Sequence, residues 1–299
     1  MQYADDESAE FAKTQYETSG YTADYDSVIT TSSTSIGSGG NWSDEWAYEE
    51  TDAVSALDYY KSKIKPNINI AILDSGINYN HELFKNRVVH THTDFSTDAS
   101  DDEMDKYGHG TNVAGAIAKS TPSNVRLSCY KIHNQNGEGT SATALAAFEY
   151  IKQLSNKPDI INCSFVTRSG LGTVVDELVD MGITVVAGAG NEGKEVYQQP
   201  AIFDSAITVA ATNRYGSACG FSNYGSCVDI AAPGDYVYTA DMSSNTAYEF
   251  ASGTSLATPL VSAAAAYVLM ENRKYTPEQV KQELIATATP FKKSSCYYG

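Results

Sequence analysis

Short, unbroken apolar runs alternate with helical stretches through most of the chain, and this rhythm limits the folds open to it. INIAIL (68–73), VRLSCYKI (125–132), DIINCSF (159–165), ITVVAGA (183–189), AITVAAT (206–212) and CVDIAA (227–232) read as strands. They do not alternate polar with apolar residues, so both faces of each strand must be covered. HGTNVAGAIAK (109–119), SATALAAFEYIKQL (141–154), GTVVDELVDM (172–181), a long stretch from about Ser255 and TPEQVKQELIATA (276–288) read as helices. A βαβ alternation of this kind predicts an α/β fold: a three-layer, doubly wound, mostly parallel sheet with helices on both faces. Ligands of such sheets bind beyond the carboxyl ends of the strands.

The rhythm starts only after Pro66. Residues 1–50 are rich in Ser, Thr, Tyr and Asp, with no sustained period, and are read as an acidic N-terminal arm or the remnant of a precursor. The arm is expected to pack partly through Trp42, Trp46 and Tyr48. Residues 51–299 are read as the main folded domain, opening on a helix capped by Thr51. The net charge is −17, and the arm holds eleven acids against one base, Lys13. Without a basic stripe, nucleic acid is not an expected partner. The alanine-rich stretch near residue 260 carries Pro259 and Ser262 and is read as a buried helix, so no membrane span is expected. The five cysteines show no zinc spacing. Cys219 and Cys227 bracket a turn-rich loop, where a short disulfide is favoured over two buried thiols.

The strand ends and helix starts carry a consistent set of residue types. Asp74-Ser75-Gly76 follows the first strand, and Gly108-His109-Gly110 opens a helix. Gly188-Ala189-Gly190-Asn191-Glu192-Gly193 follows a later strand, and Gly253-Thr254-Ser255 opens the long helix. Taken singly, each is an ordinary turn or cap residue. Taken together they supply a hydroxyl nucleophile, a base, a carboxylate to orient the base, and an amide donor for an oxyanion. Pro259, four residues beyond Ser255, breaks a good helix where a functional site would break one.

These blocks, in the order Asp, His, Asn, Ser, resemble the signature blocks of subtilisin-like serine peptidases. The likeness runs from about Asn67 to about Thr289 and includes Phe221-Ser222-Asn223-Tyr224-Gly225 and Ala232-Pro233-Gly234. The resemblance implies a serine endopeptidase acting on polypeptides. Its nucleophile would be Ser255, its general base His109 and its orienting carboxylate Asp74. The Asn191 amide and the Ser255 N–H would form the oxyanion hole. Ser164, Phe165, Val166, Gly188, Ala189 and Gly190 would bind substrate. It further implies chemistry without a metal or cofactor, a monomer, an inhibitory prodomain in the precursor, and secretion or cell-surface display.

The chain departs from the family pattern in places. Asn112 replaces a second histidine after the active one. Asn162-Cys163-Ser164-Phe165-Val166-Thr167 lacks the paired glycines of the substrate groove, so narrower subsites are expected. Glu192, beside the oxyanion residue, is a candidate to favour basic or polar side chains. The acidic stretch from Asp98 to Asp105 is read as a solvated loop, which leaves structural calcium open and unassigned. Rival motifs fail on context. The Gly188–Gly193 pattern matches a dinucleotide fingerprint, but Pro200 spoils a following helix. No Gly-x-Ser-x-Gly elbow or zinc helix is present. The remaining alternative is a relative that binds and does not cut.

Overall fold

The computed structural model describes residues 28–31, 34–36, 44–63, 65–98 and 102–290. Trp42, Cys296 and most of the predicted arm therefore lie outside the described residues. The elements in order are β1 (Val28–Thr31), β2 (Thr34–Ile36), α1 (Trp46–Glu50), α2 (Ala53–Tyr60), β3 (Ile68–Asp74), a 3₁₀ turn (Glu82–Phe84), α3 (His109–Ser120), β4 (Val125–Lys131) and β5 (Gly139–Thr140). There follow α4 (Ser141–Gln153), β6 (Ile160–Cys163), β7 (Phe165–Val166), α5 (Val174–Asp180), β8 (Thr184–Gly188), β9 (Ile207–Thr212) and β10 (Ile230–Pro233). The hairpin β11 (Val237–Ala240) and β12 (Tyr248–Ser252) precedes α6 (Thr254–Glu271) and α7 (Pro277–Thr287).

Six strands form the central sheet in the order β10-β9-β8-β6-β3-β4, and every pairing is parallel. The apolar runs are buried on both faces. Ile70 and Ile72 of β3 enter one core with α3 and α6, while Ala71 and Leu73 enter a second core with α4 and α5. This is the doubly wound α/β architecture that the sequence predicts. The chain leaves β3 toward β4 in one direction and reaches β6, β8, β9 and β10 in the other. The carboxyl ends of β3 and β6 therefore flank the switch point where such sheets bind ligands. No helix among the described residues is long and apolar enough to cross a membrane.

Two local expectations are corrected. Thr51 does not cap the helix that follows it. Its hydroxyl bonds back to the Ala47 carbonyl at 3.0 Å and closes α1, and Asp52, at φ 54°, turns the chain into α2. Cys219 and Cys227 are free thiols. Cys219 is buried in the core on the α6 face and Cys227 packs against the core on the α4 face, so their side chains diverge across the sheet. Burial pushes the Cys219 thiol up to about 12.

Near the chain start, α1 is anchored on the β11–β12 hairpin. Trp46 Nε1 donates to the Tyr236 carbonyl at 2.8 Å and the Tyr48 hydroxyl to the Tyr238 carbonyl at 2.7 Å. Asn112 ties α3 to the same hairpin, donating to the Ala240 carbonyl at 2.8 Å and to Glu249 at 2.9 Å.

Candidate functional site

Asp74 is the last residue of β3 and is fully buried. Its Oδ1 accepts from the Ser75 N–H and from His109 Nδ1, both at 2.7 Å. That second bond leaves Nε2 of the imidazole as the ring nitrogen facing elsewhere. His109 opens α3, and the loop after β3 is pressed against this helix start. Ser75 Oγ accepts from the Gly110 N–H at 2.9 Å and donates to Asp105 at 3.0 Å. A Cβ on Gly110 would lie 2.0 Å from the Gly76 carbonyl oxygen, so only glycine permits this approach.

Ser255 is the second residue of α6 and is buried. The first-turn N–H groups of a helix lack intrahelical partners and carry the positive end of its dipole. Asn191 sits beside this helix start. Its Oδ1 accepts from the Thr254 N–H at 2.9 Å, which sets the Nδ2 end on the opposite side. Pro259 has no N–H to give the carbonyl four residues earlier, which is that of Ser255. Ser164 Oγ donates to this carbonyl at 3.0 Å and accepts from Asn162 Nδ2 at 2.9 Å. Asn162 Oδ1 in turn accepts from Ser262 at 2.8 Å. The backbone of the Ser255 turn is thus held by side chains of β6 and its extension. Ser164→Ala should orphan a buried carbonyl and lower the unfolding free energy by about 1–3 kcal/mol, read from urea denaturation.

The other residues expected to bind substrate have these places. Phe165 and Val166 form β7, with Phe165 buried near Phe148 and His133. Gly188 ends β8 against the Thr254 and Thr258 hydroxyls. The Ala189 and Gly190 carbonyls accept from the Asn223 side chain at 3.0 Å and backbone at 2.9 Å. Glu192 is engaged too, its Oε2 accepting from Asn223 Nδ2 at 2.6 Å.

The acidic stretch differs from its reading as a solvated loop. Glu103 is buried and accepts from His90 Nδ1 at 2.5 Å and the His92 N–H at 2.9 Å. Asp105 is buried and accepts from the Gly108 and Thr111 N–H groups as well as Ser75. Asp98 accepts from Lys131 at 3.0 Å. These carboxylates point at different protein donors, and no metal-ligating cluster forms among the described residues. The described residues of this stretch do not fit a calcium centre.

The sequence reading missed His133. It lies just past β4, packed against Gly139 and Phe165, with neither ring nitrogen hydrogen bonded among the described residues. Burial is the main cause that pushes its pKa down to about 4. The imidazole is neutral in both states above pH 6.5. As pH falls from 6.5 to 4, the unfolded chain takes a proton that the folded chain refuses. Unfolding free energy should therefore fall by about 3 kcal/mol across that window and stay lowered below it. Urea unfolding at stepped pH should show this slope, and His133→Gln should remove it.

The carboxyl end of β3 and the start of α3 thus offer a bonded carboxylate–imidazole pair, and a buried hydroxyl, that of Ser255, stands in the first turn of α6. A family model described as the subtilase family matches residues 65–299, and the chain belongs to that family. It is 35% identical over 229 residues to an extracellular serine proteinase of Thermus sp. (strain Rt41A), covering 75% of this chain and 55% of that protein. It is 35% identical over 248 residues to subtilisin amylosacchariticus of Bacillus subtilis subsp. amylosacchariticus, covering 78% and 63%. A subtilisin of Bacillus pumilus is 35% identical over 248 residues, with 78% and 87% covered. The chain thus spans little more than half the length of the first of these relatives. The crystal structure of a cold-adapted subtilisin-like serine proteinase superposes with a TM-score of 0.70 at 33% identity, covering 75% of this chain and 82% of that one.

Proposed function

We propose that the chain is a serine endopeptidase that hydrolyses peptide bonds through an acyl-enzyme on Ser255. One observation carries the roles. Six buried side-chain polar atoms lack a hydrogen-bond partner among the described residues, and three of them are Asp74 Oδ2, His109 Nε2 and Ser255 Oγ. An unmet buried polar group costs about 1–3 kcal/mol, so finding one on an Asp, a His and a Ser of the expected types supports groups reserved for something else.

In the proposed reaction Ser255 Oγ attacks the carbonyl carbon and gives its proton to His109 Nε2. Asp74, bonded to Nδ1, holds the tautomer and stabilises the imidazolium. Asn191 Nδ2 and the Ser255 N–H receive the oxyanion, at the positive end of α6. His109 returns the proton to the leaving amine, and a water then repeats the sequence to free the acid. Neither a metal nor a cofactor has a step in this chemistry. Polypeptide is the substrate class, and the extracellular relative supports a secreted setting. The −17 net charge argues against nucleic acid.

A fluorophosphonate probe tests the reading. The probe should bond to Ser255, as mapped by peptide mass spectrometry. A folded sample that takes no label and cuts no peptide in a diverse library would instead be a binding protein on a subtilase frame.

A further inference from the structure

We infer that His133 is a specificity-determining residue of the substrate cleft, selecting peptides with a carboxamide side chain, Asn or Gln, at the fourth residue before the cut bond; this rests on the peptidase reading above. The proposed triad holds three of the six buried side-chain polar atoms that lack a partner among the described residues. Two of the other three are Nδ1 and Nε2 of His133, which is fully buried. Buried polar groups are nearly always bonded, so a ring with both nitrogens unmet points to a ligand that supplies the bond.

His133 forms the floor of the groove in which β1 lies. β1 pairs antiparallel with β5 on one side and β7 on the other, with Ile29 opposite Gly139 and Thr31 opposite Phe165. Another peptide in extended form would use the same strand edges. Residues directly opposite in such a pair send their side chains to one face, and every second residue of a strand shares it. For Gly139 and Phe165 that face holds His133. A Cβ on Gly139 would lie 2.8 Å from His133 Cδ2 and 3.5 Å from Nε2, and the Phe165 ring meets the imidazole edge-on with centroids 6.2 Å apart. Gly139 thus leaves open, beside Nε2, the room that any other side chain would fill. The groove edge is braced. Asn134 Oδ1 accepts from the Asn136 and Glu138 N–H groups at 2.9 and 3.0 Å, and Thr143 Oγ1 donates to the Ile132 carbonyl at 2.9 Å. The level of Phe165 is one residue short of Ser164, whose hydroxyl bonds the Ser255 carbonyl at 3.0 Å. A substrate residue level with Ser164 is the one presented to the nucleophile. The residue level with Phe165 is then the second before the cut bond, and the residue level with Gly139 is the fourth.

Reach and charge select the side chain. Opposite Cβ positions in an antiparallel pair are about 4.5–5.5 Å apart. Nε2 is therefore offset sideways from the substrate strand as well as below it. That reach suits the polar atoms of Asn and Gln, two and three bonds beyond Cβ, better than a hydroxyl next to Cβ. A neutral imidazole presents one N–H and one lone pair, and a carboxamide carries both a donor and an acceptor, so it answers Nε2 in either tautomer. Burial pushes the His133 pKa down to about 4 and keeps the ring neutral, and the same burial disfavours a charged side chain beside it. Ile29 holds this level in β1. Isoleucine has no group to bond a ring nitrogen, in keeping with both nitrogens being unmet. A peptide with Gln or Asn at that level gains a bond that β1 lacks.

The test is kcat/KM of the full chain on fluorogenic peptides that differ only at the fourth residue before the cut, Gln against Met and Asn against Leu, pairs of similar size. The carboxamide member should be cut at least about tenfold faster, the worth of one hydrogen bond to a buried group. The same exchanges at the third residue, whose side chain faces away from His133, should show no such preference. β1 competes alike with every peptide, so the ratios are unaffected by it. His133→Leu should bring the ratio to about one or below, while His133→Gln, which keeps a donor and an acceptor, should retain part of it. A wild-type ratio near one, or an apolar preference, overturns the inference even where His133→Leu does not fold. A carboxamide preference that survives in folded His133→Leu also overturns it. In both cases the cleavage seen, with fluorophosphonate labelling of Ser255, leaves the peptidase reading standing. A sample that cuts no peptide and takes no label strikes down the peptidase reading and this inference together.

Discussion

Ser255→Ala should lower kcat on a fluorogenic peptide by about 10⁶-fold, a figure that comes from subtilisin itself, the family's own reference enzyme. The hydroxyl is the proposed nucleophile at the start of α6, and in that proposal the other groups act as a unit with it. Losing the serine therefore costs nearly as much as losing the whole triad, and the residual rate reflects the oxyanion donors. Stability should respond in the opposite sense. Ser255 Oγ is buried and has no hydrogen-bond partner among the described residues, so the hydroxyl pays for desolvation and gains nothing there in return. Its removal should leave Tm unchanged or raise it slightly. Ser164 will still bond the residue-255 carbonyl, because on that residue the bond uses only the backbone. A variant with lost activity and a lowered Tm would mean that Ser255 holds the fold together, and its assignment as a reserved nucleophile would fall.

The central sheet was legible because parallel strands buried on both faces leave a plain sequence mark, and β3, β4, β6, β8 and β9 fall within two residues of their predicted bounds. Asp74, His109, Asn191 and Ser255 stand out in the sequence because each sits near glycines at a strand end or helix start, and the structure puts Asp74 at the end of β3 and His109 and Ser255 in the first turns of α3 and α6. The hairpin β11–β12 was not legible, since YVYTA and AYEFAS lack a two-sided apolar run and take their order from pairing. His133 escaped notice for a different reason. A lone histidine after a strand carries no local sign of burial, and only packing against Gly139 and Phe165 makes it unusual. The Cys219–Cys227 disulfide misled because spacing in sequence says nothing about which face of a sheet each thiol takes. The role of Pro259 needed both levels. Its missing N–H is visible in the sequence, but the Ser164 hydroxyl that answers it comes from another strand.

Lys131→Met should lower the unfolding free energy by about 3–5 kcal/mol, because it strands buried carboxylates. Lys131 ends β4 level with Asp74 of β3, and its side chain is fully buried. Its Nζ lies 3.0 Å from Asp98 and 3.3 Å from Asp94, whose side chain is also fully buried. Burial alone would pull the lysine's pKa down, but the bonds to Asp98 and Asp94 win and raise it. A raised lysine pKa contributes stability that is complete below the unfolded value near 10.5 and is lost only as pH rises through the folded value. The contribution is therefore in force at neutral pH. The cluster also pins the loop before the acidic stretch to the sheet, since Phe95 N–H donates to the Lys131 carbonyl at 2.8 Å and Gln135 N–H to Asp98 at 2.9 Å. Methionine keeps the length and apolar stem of lysine, so the loss measures charge more than packing. Adding Asp94→Asn to Lys131→Met should recover a large part of it by removing the stranded charge, and urea unfolding of the two single variants and the double variant separates these terms. A single-variant loss below about 1 kcal/mol would mean that water reaches the carboxylates once the ammonium is gone, and that the cluster is not sealed in the way its geometry indicates.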